Sequence, residues 1–154
     1  MLCLQETKCD KVSKELIFHL WGSNNIGWIE VGARNNAGGI ITMWRNNKFQ
    51  LVNFVRGNNF SDVEGVWKGG GGVQVVIVNV YSPNLLREKK VLWEDIGELR
   101  RRQNNRVWCV IGDFNSVRRQ EERRSLFSPR LITAEISEGL MTLLKILSLW
   151  MYCW

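Results

Sequence analysis

The chain has 154 residues, 45% hydrophobic and 23% charged, a balance that excludes a disordered or fibrous protein and fits one globular domain. Its 21 basic residues outnumber 15 acidic ones for a net charge of +6, and 12 basic against 7 acidic groups fall within 84–130. That local excess fits a polyanionic partner, nucleic acid first among them, with a solvated surface as the alternative.

No apolar stretch is suited to span a bilayer, because the longest, Leu140 to Trp154, is interrupted by Lys145. No basic start with an apolar run and a small-residue cleavage site opens the chain, so an intracellular protein of nucleus or cytoplasm, not secreted, is expected. Cys3, Cys9, Cys109 and Cys153 are too far apart for a zinc or redox pattern and read as structural.

Met1–Leu4 reads as the end of a buried strand that stops at Gln5-Glu6-Thr7. Over Asp10–Leu20, Val12, Leu16, Ile17 and Leu20 recur at helical spacing. Gly38-Gly39 opens a strand Ile40–Trp44, Asn46-Asn47 makes a turn, and Phe49–Val55 follows as its expected hairpin partner. Asp62–Lys68 reads as a further strand. Gly69–Gly72 lacks the Lys-Ser/Thr of a phosphate-binding loop and reads as a turn into the strand Val73–Tyr81. Pro83 ends that strand. Leu86–Arg102 is an amphipathic helix with Val91, Leu92, Ile96 and Leu99 on one face, broken at Asn104-Asn105. Val107–Ile111 is an apolar strand ending at Gly112-Asp113, and Ser116–Ser128 a charged loop. Early hairpin-type strands followed by a helix and a buried strand predict mixed sheets packed with helices.

Chemistry concentrates where strands end. Glu6, Asp113 and Asn115 stand directly after apolar strands, where side chains are held by a sheet and still reach solvent. Each alone is explained by strand and turn capping. Two carboxylates brought together there would make a hard oxygen site for Mg2+ or Mn2+.

Four motifs appear in order: Leu4-Gln5-Glu6-Thr7-Lys8, Gly38-Gly39, Asn79-Val80-Tyr81-Ser82-Pro83 and Gly112-Asp113-Phe114-Asn115. This order resembles the endonuclease/exonuclease/phosphatase superfamily with its deoxyribonuclease-I-like fold, and more narrowly the apurinic-type endonuclease domain of plant non-LTR retrotransposon proteins. The resemblance covers residues 1 to about 137. It implies an α/β fold, part of a four-layer sandwich in which two packed mixed sheets are flanked by helices. It also implies Mg2+ or Mn2+ as cofactor, DNA as partner, and a divalent-metal-dependent phosphodiesterase. Glu6 then matches the glutamate that holds the metal, and Tyr81 the tyrosine near the scissile phosphate. Asp113 matches the aspartate that orients or deprotonates the attacking water, and Asn115 the asparagine that steadies the phosphate and metal site.

Two departures from the family pattern bear on activity. The resemblance implies an earlier strand ending in asparagine and a later Ser-Asp-His segment, and neither occurs among these residues; the single histidine, His19, reads as a surface or packing residue. The expectation is a remnant with little or no nuclease activity, the alternative a non-catalytic basic nucleic-acid-binding remnant. Arg118, Arg119, Arg123 and Arg124 are candidates for DNA phosphate contacts, and Arg100-Arg101-Arg102 with Arg106 form a second basic cluster.

Residues 138–154 form an apolar stretch with almost no acids. Under one permissible choice of codons, the same nucleotides read two bases later encode an amphipathic peptide of the kind this family carries after Gly-Asp-Phe-Asn. The expected organisation is a partial domain over 1–137 and an aberrant tail over 138–154, out of frame or else a hydrophobic helix packed on the sheet or a partner.

Overall fold

The computed structural model describes residues 1–34, 37–103 and 106–116. The break at Asn104-Asn105, the loop beyond Ser116 and the tail 138–154 lie outside the described residues. The chain forms two compact units, Met1–Ser82 with Asn105–Asp113, and Pro83–Asn104 with Phe114–Trp154.

In the first unit β1 (Leu2–Gln5) leads into helix α1 (Lys14–Trp21), then β2 (Ile26–Val31), β3 (Ile40–Arg45), β4 (Phe49–Arg56), β5 (Phe60–Trp67), β6 (Val73–Tyr81) and finally β7 (Val107–Asp113). β1, β3 and β2 make a three-stranded antiparallel sheet with β3 in the middle. The second sheet runs β4-β5-β6-β7 and is mixed, antiparallel except for the parallel pair β6 and β7. A parallel pair needs a long crossover, and the chain makes one by leaving this unit at Pro83 and returning at Asn105.

The sheets pack face to face, and period-2 alternation decides which residues meet. Ile29 and Trp44 of one sheet join Phe49, Val63 and Ile77 of the other in a single buried cluster. The opposite face of the three-stranded sheet supplies Ile26, Ile41 and Met43, which bury Ile17 of α1. Helix α1 starts where Ser13 accepts a hydrogen bond from the Leu16 amide, and ends at Gly22 with φ 76°. It is shorter than the apolar spacing from Asp10 predicts because Ser13 is its N-cap. The fold is α/β: two packed sheets with helices, deoxyribonuclease-I-like.

The expected hairpin between Ile40–Trp44 and Phe49–Val55 does not form. β3 pairs on both edges, with β1 and β2, while β4 pairs with β5 in the other sheet. The turn closed by Lys48 N to Arg45 O (2.9 Å) carries the chain between sheets instead of back along one. From Ile40 to Trp44 every residue of β3 is buried, as suits a central strand covered on both faces. β2 lies in a stretch that the apolar pattern left unassigned: Gly27 and Glu30 interrupt its run, and both are tolerated. The Gly27 position lies against the Trp44 indole, where a Cβ would come within 2.5 Å of the ring, and Glu30 pairs with Arg56 at 3.6 Å.

In the second unit, helix α2 (Leu86–Arg102) buries Lys89, Leu92, Trp93, Ile96 and Gly97. That stripe follows helical spacing, and it leaves Val91, assigned above to the apolar face, exposed. The Trp93 and Phe114 rings lie 6.0 Å apart.

Candidate active site

Three of the sequence-predicted residues come together at one end of the first unit. β6 and β7 are parallel and in register, with Tyr81 opposite Asp113 at their common C-terminal end. The Tyr81 backbone is held from outside the sheet. Its amide donates to Asn59 O at 2.9 Å, and its carbonyl accepts from Asn59 Nδ2 at 3.1 Å. Asp113 O accepts from the Ser82 amide at 2.8 Å. Gly112 adopts φ 148°, and a Cβ there would lie 1.9 Å from Val80 O. Glycine before the aspartate is therefore what lets β7 stay paired up to Asp113.

Glu6 arrives from the facing sheet. It follows β1 directly and sits at φ 53°, a left-handed conformation uncommon for a non-glycine residue. The residues after it are tied down: the Thr7 amide donates to Gly39 O at 3.1 Å and the Lys8 amide to Gly38 O at 2.9 Å. Gly38 and Gly39 have φ 75° and 88°, and a Cβ on Gly38 would lie 3.6 Å from the Tyr81 ring. The Gly38-Gly39 motif thus connects the Glu6 segment to the Tyr81 ring.

Electrostatics agrees with this placement. Partial burial first, then the negative charges of Glu6 and Asp113, raise the Tyr81 phenol above its ordinary value of 10.0. Tyr81 is therefore a neutral hydrogen-bond donor at physiological pH, within electrostatic reach of both carboxylates. Glu6 and Asp113 are both exposed, so their oxygens are open to solvent. No cluster of three or more His, Cys, Asp or Glu that could hold a metal occurs among the described residues. Two carboxylates fit Mg2+ or Mn2+, which bind through one or two carboxylates and complete their shell with water and phosphate oxygens. They suit zinc poorly.

Asn115 belongs to the second unit. It too adopts a left-handed conformation, φ 46°, and its carbonyl accepts from Lys89 Nζ. That ammonium, 1% exposed, also donates to Phe114 O and Ser116 Oγ, each contact being 2.8 Å. Lys89 thus clamps the turn that follows Asp113, a role sequence reasoning missed. Its signal was a lysine three positions before Leu92, on the buried stripe of the helix. Arg118, Arg119, Arg123 and Arg124 lie outside the described residues. Of the second basic cluster, Arg102 pairs with Glu98 and Arg106 with Glu64, which reduces the charge left for phosphates. His19 is exposed, its Nδ1 2.6 Å from Glu15 O on its own helix. Among the described residues no helix is long and apolar enough to cross a membrane.

The model of the endonuclease/exonuclease/phosphatase family matches residues 1–152. A crystal structure of truncated Caenorhabditis elegans TDP2 superposes with a TM-score of 0.51 at 16% identity, over 80% of this chain and 52% of that one. Selenomethionine TDP2 from the same organism gives 0.51 and 16%, over 80% of this chain and 39% of that one. A third C. elegans TDP2 structure gives 0.50 and 15%, over 80% and 40%. At this identity the likeness is one of fold, and the chain spans about half the length of these structures or less. No curated protein matches the sequence.

Proposed function

The chain belongs to the endonuclease/exonuclease/phosphatase family, and on that premise we propose that Glu6, Tyr81 and Asp113 form a divalent-metal-dependent phosphodiesterase site that acts on DNA. The family supports a nuclease or phosphodiesterase function, and its members are generally metal-dependent. The observation that carries the reading is the convergence of two carboxylates on one phenol at the end of two packed sheets.

Phosphodiester hydrolysis needs an activated water, charge stabilisation on the non-bridging oxygens, and a stabilised leaving oxygen. Glu6 would hold the Mg2+, with Asp113 as the second carboxylate of the pair. A metal bound there would supply charge neutralisation on the phosphate and at the leaving oxygen. Asp113 orients the attacking water and takes its proton as the water oxygen bonds to phosphorus. Tyr81, kept neutral, donates its hydroxyl hydrogen to a non-bridging oxygen. The bond from phosphorus to the 3′ oxygen breaks, that oxygen takes a proton from solvent water, Asp113 gives its acquired proton back to solvent, and a 3′-hydroxyl and a 5′-phosphate result. By the resemblance alone, Asn115 would steady the phosphate, and Arg118, Arg119, Arg123 and Arg124 are candidates for contacts with DNA phosphates.

Within these 154 residues the only imidazole is that of His19, bound to its own helix. We assign the chain low activity by itself, because losing one charge-stabilising donor costs about 10²–10³ in rate. Nicking of supercoiled plasmid with Mg2+ tests both parts. The expectation is slow nicking that is abolished by Glu6→Gln and by Asp113→Asn. Nicking equal to the Glu6→Gln background would sink the phosphodiesterase assignment, and rapid multiple turnover would sink the low-activity one.

A retrotransposon origin belongs to the same proposal, supported by the order of the four motifs along 1 to about 137. A reverse-transcriptase reading frame in the adjoining genomic DNA is the expected finding, and its absence counts against that origin. The competing reading, a basic nucleic-acid-binding remnant, draws on the net +5 of 84–130. It predicts DNA affinity that falls steeply with salt, without cleavage.

A further inference from the structure

Between the two sheets, one side chain makes more directed contacts than any apolar neighbour can. Asn79 lies on β6, two residues before Tyr81 and on the same face, and is 0% exposed. Its Oδ1 accepts from Gln5 Nε2 at 2.5 Å. Its Nδ2 donates toward Leu4 O (3.3 Å), Ile41 O (3.1 Å) and Thr42 Oγ1 (3.1 Å). Thr42 Oγ1 in turn lies 2.9 Å from Ser61 Oγ on β5. One carboxamide on the second sheet thereby reaches the last two residues of β1 and the middle of β3 on the first.

Those contacts sit one step from the site on either side. Gln5 immediately precedes Glu6, and Tyr81 and Asp113 end the strands on which Asn79 and its register partner Ile111 lie. Apolar packing is tolerant of small slides between sheets, because the hydrophobic effect has no direction. A buried carboxamide whose donors and acceptor are all engaged has one arrangement, since any slide leaves a polar group unpaired in the interior.

We propose that Asn79 is a positioning residue that, through Gln5, sets the placement of Glu6 relative to Tyr81 and Asp113. The inference rests on the site reading above and deepens it. Asn79 touches no reacting atom in this account. It acts as an outer-shell partner does at a metal site, where loss typically weakens metal affinity about 10–100-fold.

The test is Mn2+ binding to the full chain, followed by electron paramagnetic resonance of the free ion, on variants shown to be folded by circular dichroism. Asn79→Val removes the carboxamide and keeps an apolar side chain of similar size. Gln5→Leu removes only the bond from the Gln5 side chain and leaves the one to Leu4 O, at a half-buried position less exposed to misfolding. Val63→Ala, in the apolar cluster of the same interface, is the control for loss of stability alone. The expectation is Mn2+ affinity about 10–100-fold weaker in Asn79→Val, weaker by a smaller factor in Gln5→Leu, and unchanged in Val63→Ala. Unchanged affinity in both Asn79→Val and Gln5→Leu, or an equal loss in Val63→Ala, overturns the positioning role while leaving the site reading intact. Absence of Mn2+ binding in the unsubstituted chain overturns the site reading and the positioning role with it.

Discussion

The interface between the two sheets has two ends of different character. At one end Trp44 meets Phe49 edge-on, with ring centroids 5.5 Å apart, and Phe49 meets Trp67 at 6.4 Å; Ile29, Val63 and Ile77 complete the cluster. At the other end the contacts are carboxamides and hydroxyls: Gln5, Asn79, Thr42 and Ser61. The aromatic end gains free energy by removing large rings from water, about 1.5–3 kcal/mol for a fully buried phenylalanine. The polar end gains little net stability per bond, about 0.5–1.5 kcal/mol, and is costly if any bond is left unmade. It supplies register instead. Glu6, Tyr81 and Asp113 sit beyond the polar end, where register matters.

The largest effect expected from this contrast is on stability at the aromatic end. Phe49 is 1% exposed, so Phe49→Ala should cost about 3–5 kcal/mol in denaturant unfolding. Because the aromatic end does not hold the site, Mn2+ affinity of the protein that remains folded should be unchanged. A shift in that affinity would break the division between the two ends.

A smaller effect is expected from Gly112→Ala at the site end. The added methyl meets Val80 O, so the pairing of β6 and β7 must yield next to Asp113, at a cost of about 1–3 kcal/mol. Here, unlike at Phe49, loss of stability should come with loss of metal affinity. If stability falls alone, Asp113 is not held by the pairing that places it opposite Tyr81.

The smallest effect is a pH dependence. The folded state holds the Tyr81 proton more tightly than the unfolded chain, whose value is near 10.0. The corresponding stability is complete below pH 10 and is lost as the pH rises through the higher folded-state value. Tyr81→Phe should remove this part of the alkaline loss, and Glu6→Gln should reduce it by removing one of the two charges. Unfolding midpoints between pH 9 and pH 11, relative to the unsubstituted chain, measure it. No difference for Tyr81→Phe would mean that neither burial nor the two carboxylates acts on the phenol.

Much of this molecule is legible in its sequence because local pattern and tertiary role agree. Val73–Tyr81 and Leu86–Arg102 have the bounds that apolar runs and helical spacing predict. Glu6 and Asp113 are legible as candidates because each stands at or just after the end of an apolar strand, and Tyr81 through its place in the Asn79-Val80-Tyr81-Ser82-Pro83 motif. What could not be read was pairing across distance. An Asn-Asn turn between two apolar strands has the same local signature whether the chain folds back or crosses to another sheet, and Arg45–Lys48 crosses. Asn79 and Lys89 were hidden for a related reason. A single amide within a valine-rich strand, or a lysine on an amphipathic helix, declares its function only through partners 25 or more residues away.

The proposed site turns on Glu6, brought by one sheet, and Asp113, brought by the other, holding one divalent cation together. The most direct measurement is a Mn2+ titration of the full chain beside Glu6→Gln and Asp113→Asn. One saturable site is expected in the unsubstituted protein, lost or severely weakened in each variant. Binding that survives in either variant, or no saturable site in any of the three, would contradict it.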